Sequence, residues 1–138
     1  MKAVDDLTLL IGSTPLLKLN RLFPDPSANI YAKLELFNPM SVKDRPVLSM
    51  IKAGIADGSI TPDTEVVEAS SGNTAIAIAL LGAVLDFKVR IYMSELASVE
   101  RRQIIMAYGA KVIITPGSEH TKGARKRAIR YCEQSENA

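Results

Sequence analysis

Apolar and polar residues change their spacing along this chain, and the change predicts where strands and helices alternate. Residues 11–17 are typical of a turn that leads into a short extended segment. Residues 30–35 alternate apolar and polar side chains, which is the period of a half-buried strand. Residues 47–56 carry apolar side chains at helical spacing, and Gly58 behind them is a natural helix stop.

The pattern becomes regular from residue 65 onward. It predicts strands at 65–69, 88–93 and 111–115, and helices at 74–85, at 98–109 and from residue 121. Ser98 and Thr121 are the expected N-caps of the last two helices. Alternating strands and helices with short connections imply right-handed crossovers and a parallel sheet. The predicted fold class is therefore α/β, a doubly wound three-layer sandwich around a short parallel sheet, in a single domain over residues 1–138.

The composition excludes several classes of function but does not identify a particular one. The 138 residues are 47% apolar and 23% charged, which is typical of a globular domain. A net charge of +2, with few aromatic residues and no Trp, gives no support for nucleic-acid binding. The single cysteine, Cys132, excludes an internal disulfide. No signal peptide or membrane-length apolar run is visible, so we expect a cytoplasmic protein without membrane partners.

Several common sites are also excluded by their spacing rules. The chain has neither the Walker-type phosphate loop nor the three spaced glycines of a dinucleotide loop. His120 and Cys132 are too few and too far apart for a zinc site, and His120 is expected to be solvated in a polar turn. Residues 100–102 could contact an acidic partner, but a charged helix face is the simpler explanation, and the basic face of the last helix could likewise be only solvated.

Residues 70–74, with the sequence SSGNT, lie after a predicted strand and before a predicted helix. Ligands of open parallel sheets bind at this edge, beside helix N-termini. Two hydroxyls, a glycine and a helix start would make an anion cradle for a carboxylate or a phosphate. The same residue types are expected at any helix cap or turn, so the residues alone leave both interpretations open. The helix behind them is apolar all round, which predicts burial or a missing partner.

Lys43 lies at the start of a predicted helix. A cation is mildly unfavourable there, because the N-terminus of a helix carries partial positive charge. A desolvated lysine could justify that position, because it loses its proton easily and becomes a nucleophile for Schiff-base chemistry. A lone lysine in a solvated loop would be the simpler interpretation. The 70–74 segment further along the chain favours the chemical one.

Six segments in order resemble the N-terminal half of the cysteine synthase branch of pyridoxal-phosphate β-replacement enzymes, which have the tryptophan synthase β-like fold. They read IGSTPL at 11–16, AKLE at 32–35, NPMSVKDR at 38–45, EASSGNT at 68–74, MSE with SVERR between 93 and 102, and YGA at 108–110. Each motif is weak alone. The ordered set is specific and covers nearly the whole chain.

The resemblance implies a role for each matched residue. Lys43 would form the Schiff base with pyridoxal 5'-phosphate and act as acid and base at the substrate's α-carbon, and Asn73 would bind the cofactor's ring oxygen. The substrate's carboxylate would be held by Ser70, Ser71, Gly72 and Thr74. The implied reaction eliminates acetate or phosphate from an O-activated serine and adds sulfide or another nucleophile to give an amino acid such as cysteine.

Two departures from the family pattern shape the expected activity. Only Met40 stands between Asn-Pro and Ser in the lysine motif, where the family has two residues. The family's cofactor-phosphate loop lies in a later half that this sequence does not contain. We therefore expect a truncated form with little activity alone. The alternatives are a binding or regulatory module, half of an enzyme completed by a separate C-terminal chain, or a diaminopropionate synthase-type relative, which the Arg45-Pro46 step suggests. Apolar surface uncovered on helix 74–85 would favour a homodimer.

Overall fold

Two small sheets and four helices make up the computed structural model, which describes residues 3–24 and 27–138. The strands are β1 (Leu16–Lys18), β2 (Tyr31–Lys33), β3 (Glu65–Ala69), β4 (Lys88–Ser94) and β5 (Lys111–Thr115). The helices are α1 (Asp44–Ala56), α2 (Asn73–Leu85), α3 (Val99–Ala107) and α4 (His120–Gln134). Short 3-10 turns cover Leu7–Leu10, Glu35–Phe37 and Gly117–Glu119. None of the described helices is long and apolar enough to cross a membrane.

The larger sheet is parallel, with the strand order β3-β4-β5. Helices α2 and α3 pack against each other and against the sheet, and α1 packs on α2. Helix α4 contacts all three strands and, with Tyr92, forms a separate apolar cluster. The predicted α/β class with a short parallel sheet between helical layers is confirmed.

Helix α2 lies at the centre of the main apolar cluster. Its residues from Ala75 to Leu81 are at most 6% exposed, because α1, α3 and the sheet surround them. The expectation of uncovered apolar surface on this helix is therefore wrong for residues 75–81, whereas Ala83 near its end is exposed. The helix approaches β4 so closely that a Cβ on Gly82 would lie 2.4 Å from Val89 Cγ2, so only glycine fits there.

Helix α4 is fixed to the sheet by polar contacts as well as by packing. Tyr131 donates a hydrogen bond of 2.6 Å to Glu65 Oε2, and Arg90 Nε donates another of 2.9 Å. The Arg90 guanidinium also lies 4.0 Å from the centre of the Tyr131 ring. Burial acts to raise the pKa of Glu65, but the bonds from Arg90 and Tyr131 outweigh it and leave that pKa below its usual value.

The start of α4 corrects one detail of the sequence analysis. Thr121 was the expected N-cap, whereas the helix begins at His120 and no side chain caps it. The 3-10 turn Gly117–Glu119 leads directly into the helix and occupies the place of a capping residue. The prediction for Ser98 is confirmed, because its hydroxyl accepts a bond from the backbone N–H of Arg101.

The N-terminal arm, residues 3–24 and 27–37, has a different character from the parallel sheet. Strands β1 and β2 form an antiparallel ribbon, in which Leu17 pairs with Ala32. Only residues 31–33 of the predicted 30–35 strand are extended in the ribbon, since Glu35 enters a 3-10 turn. Large apolar side chains of the arm remain exposed, including Leu16 at 63% and Leu36 at 76%.

Candidate active site

Lys43 stands immediately before α1, and its side chain is exposed. Its backbone N–H donates to Ser41 Oγ at 3.1 Å, and its carbonyl accepts the N–H of Val47 at 3.1 Å. The helix-start position suggested a desolvated amine, and the structure does not have one. An exposed primary amine is instead accessible to a carbonyl compound.

The buried side chain of Asp44 holds the loop that precedes Lys43 through hydrogen bonds. The side chain is completely buried, and Oδ2 accepts the backbone N–H groups of Met40 at 2.7 Å and Ser41 at 3.1 Å. Its carboxylate lies in the first turn of α1, where a negative charge is favourable. Oδ1 has no hydrogen-bond partner among the described residues.

Glu35 is the centre of a polar cluster that we name the Glu35 cluster, formed with Thr14, Asn38 and Arg45. Arg45 donates two bonds to its carboxylate, from Nε at 2.7 Å and from Nη2 at 3.0 Å. Asn38 donates from Nδ2 at 2.7 Å, and the Thr14 hydroxyl donates at 3.2 Å. The bonds from Arg45 above all, against the effect of burial, lower the pKa of Glu35 to about 2.

The Glu35 cluster also joins the lysine loop to the N-terminal arm. Asn38 is buried, and its Oδ1 accepts the backbone N–H of Gly12 at 2.9 Å. Arg45 Nη2 donates a further bond of 2.9 Å to the Thr14 hydroxyl. Sequence reasoning noted these residues only as parts of motifs. A pairing of residues ten or more positions apart leaves no local signal.

Residues 70–74 form a bend at the carboxyl end of β3, as predicted, and α2 begins at Asn73. Asn73 is exposed, and its four predicted site neighbours are half-buried: Ser70, Ser71, Gly72 and Thr74. The Ser70 hydroxyl accepts the N–H of Gly72 at 3.2 Å, and no side chain caps α2. A Cβ on Gly72 would meet no atom within 4 Å.

The sequence left open whether residues 70–74 cap the helix or form an anion cradle, and the geometry favours the cradle. Neither the serines nor Asn73 act as a side-chain cap of α2. The first N–H groups of the helix and the space above Gly72 are therefore available to a ligand, and the helix dipole favours an anion there.

Helix α3 connects the two segments through contacts that the sequence analysis did not anticipate. Arg101 Nη1 donates to the carbonyl of Ser71 at 3.3 Å, near the start of the helix. At its other end, the Tyr108 hydroxyl lies 3.3 Å from Met40 Sδ in the lysine loop. The sequence had suggested a charged helix face for residues 100–102, and Arg101 instead reaches the 70–74 bend.

The other candidate residues do not assemble into a second site. His120 is exposed at the start of α4, and Cys132 is a half-buried free thiol. Within residues 3–24 and 27–138, no three side chains of the metal-binding types lie close enough to hold an ion.

Residues 7–138 match the protein family described as pyridoxal-phosphate dependent enzyme, and the chain belongs to that family. A cysteine synthase of Staphylococcus aureus is 46% identical over 134 residues, covering 96% of this chain and 43% of that protein. Among solved structures, O-acetyl serine sulfhydrylase isoform 3 from Entamoeba histolytica has a TM-score of 0.91 at 38% identity, covering 99% of this chain and 42% of the other. O-ureido-L-serine synthase has a TM-score of 0.87 at 36% identity, over 96% and 42%.

These comparisons confirm the resemblance to cysteine synthases and the pyridoxal-phosphate cofactor of the family. The chain spans less than half the length of the curated relatives it matches.

Proposed function

We propose that this chain provides the lysine and the carboxylate cradle of a cysteine synthase-type site. The proposed reaction takes O-acetylserine or O-phosphoserine, releases acetate or phosphate, and adds sulfide to give cysteine. The observation that carries the proposal is the pairing of an exposed Lys43 at a helix start with an open, uncapped bend at residues 70–74. Family membership and 46% identity to a cysteine synthase support the same chemistry.

The residues present fit pyridoxal phosphate as far as this part of the site extends. Lys43 would hold the cofactor through its amine, and its Nζ would take and return the α-carbon proton. Asn73, exposed at the first turn of α2, would donate a hydrogen bond to the cofactor's ring oxygen. The bound cofactor supplies the electron sink that makes the α-carbon proton acidic.

The substrate's α-carboxylate would lie over the 70–74 bend. Ser70, Ser71, Gly72 and Thr74 would supply hydroxyl and backbone donors, and the start of α2 adds partial positive charge. The glycine lets a ligand approach the backbone closely, because no side chain fills the space above it.

Sulfide is proposed as the nucleophile because the curated relatives at 41–46% identity include cysteine synthases. By the family resemblance, the cofactor-phosphate loop lies outside the matched region. We therefore propose that residues 1–138 alone bind the cofactor weakly and show little or no turnover. A regulatory module and one half of a two-chain enzyme are the functions to be distinguished from this one.

Reductive trapping tests the role of Lys43. The protein is mixed with pyridoxal phosphate, reduced with borohydride and mapped by peptide mass spectrometry. We expect the label on Lys43 in the parent and in Lys52→Arg, a matched substitution of an exposed lysine on α1. In Lys43→Arg, the label should disappear from the peptide that contains residue 43. Labelling spread evenly over the exposed lysines would contradict the proposed role.

Turnover and capture assays separate the remaining functions. Rapid conversion of O-acetylserine and sulfide by the isolated chain would contradict the expected low turnover but not the site. A specific protein partner captured without any cofactor absorbance or Lys43 label would favour the regulatory module.

A further inference from the structure

We propose that Glu35 is a positioning residue for Lys43, because its one carboxylate binds both ends of the loop that carries the lysine. This inference rests on the proposed function of Lys43. Glu35 itself is eight positions before the lysine and lies in the 3-10 turn that leads into the loop.

The two ends of the loop meet at the Glu35 carboxylate. Asn38, where the loop begins, donates from Nδ2 to Oε2 at 2.7 Å. Arg45, in the first turn of α1, donates to the same Oε2 at 2.7 Å and to Oε1 at 3.0 Å. The carboxylate thus fixes the distance between residue 38 and residue 45.

None of the described hydrogen bonds or ion pairs is made by the Lys43 side chain itself. Its bonds run through the backbone, to Ser41 Oγ and to the N–H of Val47. The middle of the loop is held by Asp44, which binds the N–H groups of Met40 and Ser41. The location of the amine is therefore set by the shape of the loop, and that shape depends on where its ends are held.

The chemistry of the Glu35–Arg45 ion pair explains why a carboxylate and a guanidinium are needed to hold the ends of the loop. Arg presents a planar fork that meets a carboxylate with two parallel bonds, which fixes direction as well as distance. A glutamine at position 35 would keep the shape but lose the charge and one acceptor. A lysine at position 45 would keep the charge but lose the fork.

The test compares Glu35→Gln and Arg45→Lys with Glu119→Gln. The control breaks an exposed ion pair between the 3-10 turn Gly117–Glu119 and α4, where Arg127 Nη2 lies 2.8 Å from Glu119 Oε1. Two quantities are measured in each variant. One is the hydrogen exchange rate of the Met40 and Ser41 amides relative to amides of β4, and the other is the rate of reductive labelling of Lys43 by pyridoxal phosphate.

We expect both loop variants to exchange the two amides at least tenfold faster while β4 is unchanged. Labelling of Lys43 should slow by about tenfold to a hundredfold, the scale on which a misplacement of about 1 Å affects a reaction. The Glu119→Gln variant should match the parent in both measurements.

The outcomes separate this inference from the proposed function. Parent-like amide exchange and labelling in both loop variants, with Lys43 still labelled in the parent, would overturn the role of Glu35 alone. Absence of Lys43 labelling in the parent would overturn the proposed function. Faster exchange throughout β4 as well would show a general loss of stability and would also overturn a specific positioning role.

Discussion

The parallel-sheet region and the N-terminal arm contain similar apolar residues but cover them very differently. In the sheet region, α2 is enclosed so fully that Leu81 is 1% exposed. In the arm, Leu16, Leu22 and Leu36 are between 63% and 76% exposed. The sheet region has helices on both faces, whereas the arm is built on a two-stranded ribbon, which is marginal without further packing.

This difference shows what holds each region in place. Burial of apolar surface stabilises the sheet region. The arm is joined to the lysine loop by polar contacts, from Gly12 to Asn38 and from Thr14 to Arg45, while Ile11 packs against the main apolar cluster. The two regions should therefore respond to different perturbations.

Truncating a leucine in each region gives the largest expected contrast. Leu81→Ala should lower the free energy of unfolding by about 2–5 kcal/mol, because it removes a buried side chain and leaves a cavity. Leu36→Ala, at a side chain that is 76% exposed, should change it by less than about 0.5 kcal/mol. Urea denaturation followed by circular dichroism measures both. Equal losses in the two variants would contradict the description of the arm as uncovered.

Removing the hydroxyl of a tyrosine in each region gives a smaller contrast in stability. Tyr131→Phe removes the 2.6 Å bond to Glu65 that fixes α4 to the sheet, and should cost about 1 kcal/mol. Tyr31→Phe changes an exposed side chain of β2 and should be neutral in the same denaturation assay. If Tyr131→Phe were neutral as well, the polar attachment of α4 would contribute nothing measurable.

Acid should weaken the attachment of the arm through Glu35. The pKa of this carboxyl is about 2 in the folded protein, mainly because of Arg45, against 4.5 for an unperturbed glutamate. Its stabilising effect is therefore fully present above about pH 4.5 and is lost as the pH falls toward about 2.

The measurement is the Tm of the parent and of Glu35→Gln as a function of pH, since other acids also titrate in this range. The difference between the two proteins should be constant near neutrality and shrink progressively below about pH 4.5. A difference that does not change with pH would mean that the Glu35 charge contributes nothing to stability.

Local patterns were sufficient for the sheet region. Strands β3 and β5 have the predicted bounds because short β-branched runs lie between clear turn residues. Ser98 caps α3 as expected because an N-cap acts on residues next to it in sequence. The bend at residues 70–74 lies at the carboxyl end of β3 for the same reason, since its position follows from the strand before it and the helix after it.

The features that could not be predicted from the sequence depend on contacts between residues that are far apart along the chain. The apolar composition of α2 did not show whether α1 and α3 would cover the helix, and the expectation of exposed surface is wrong for residues 75–81. The bonds from Arg45 to Glu35 and Thr14, and from Arg101 to Ser71, join residues 10 to 31 positions apart, so no local pattern predicts them. The roles of Lys43, Asn73 and the 70–74 residues remain predictions until they are tested.

Gly82 has a consequence at the opposite end of its helix. Because a Cβ at position 82 would collide with Val89 and crowd the Phe87 carbonyl, a larger residue there would push α2 away from β4. Nine residues of rigid helix, about 14 Å, separate this contact point from Asn73. A missing side chain near one end of α2 thus helps to set where its other end, with the 70–74 bend, lies relative to the sheet.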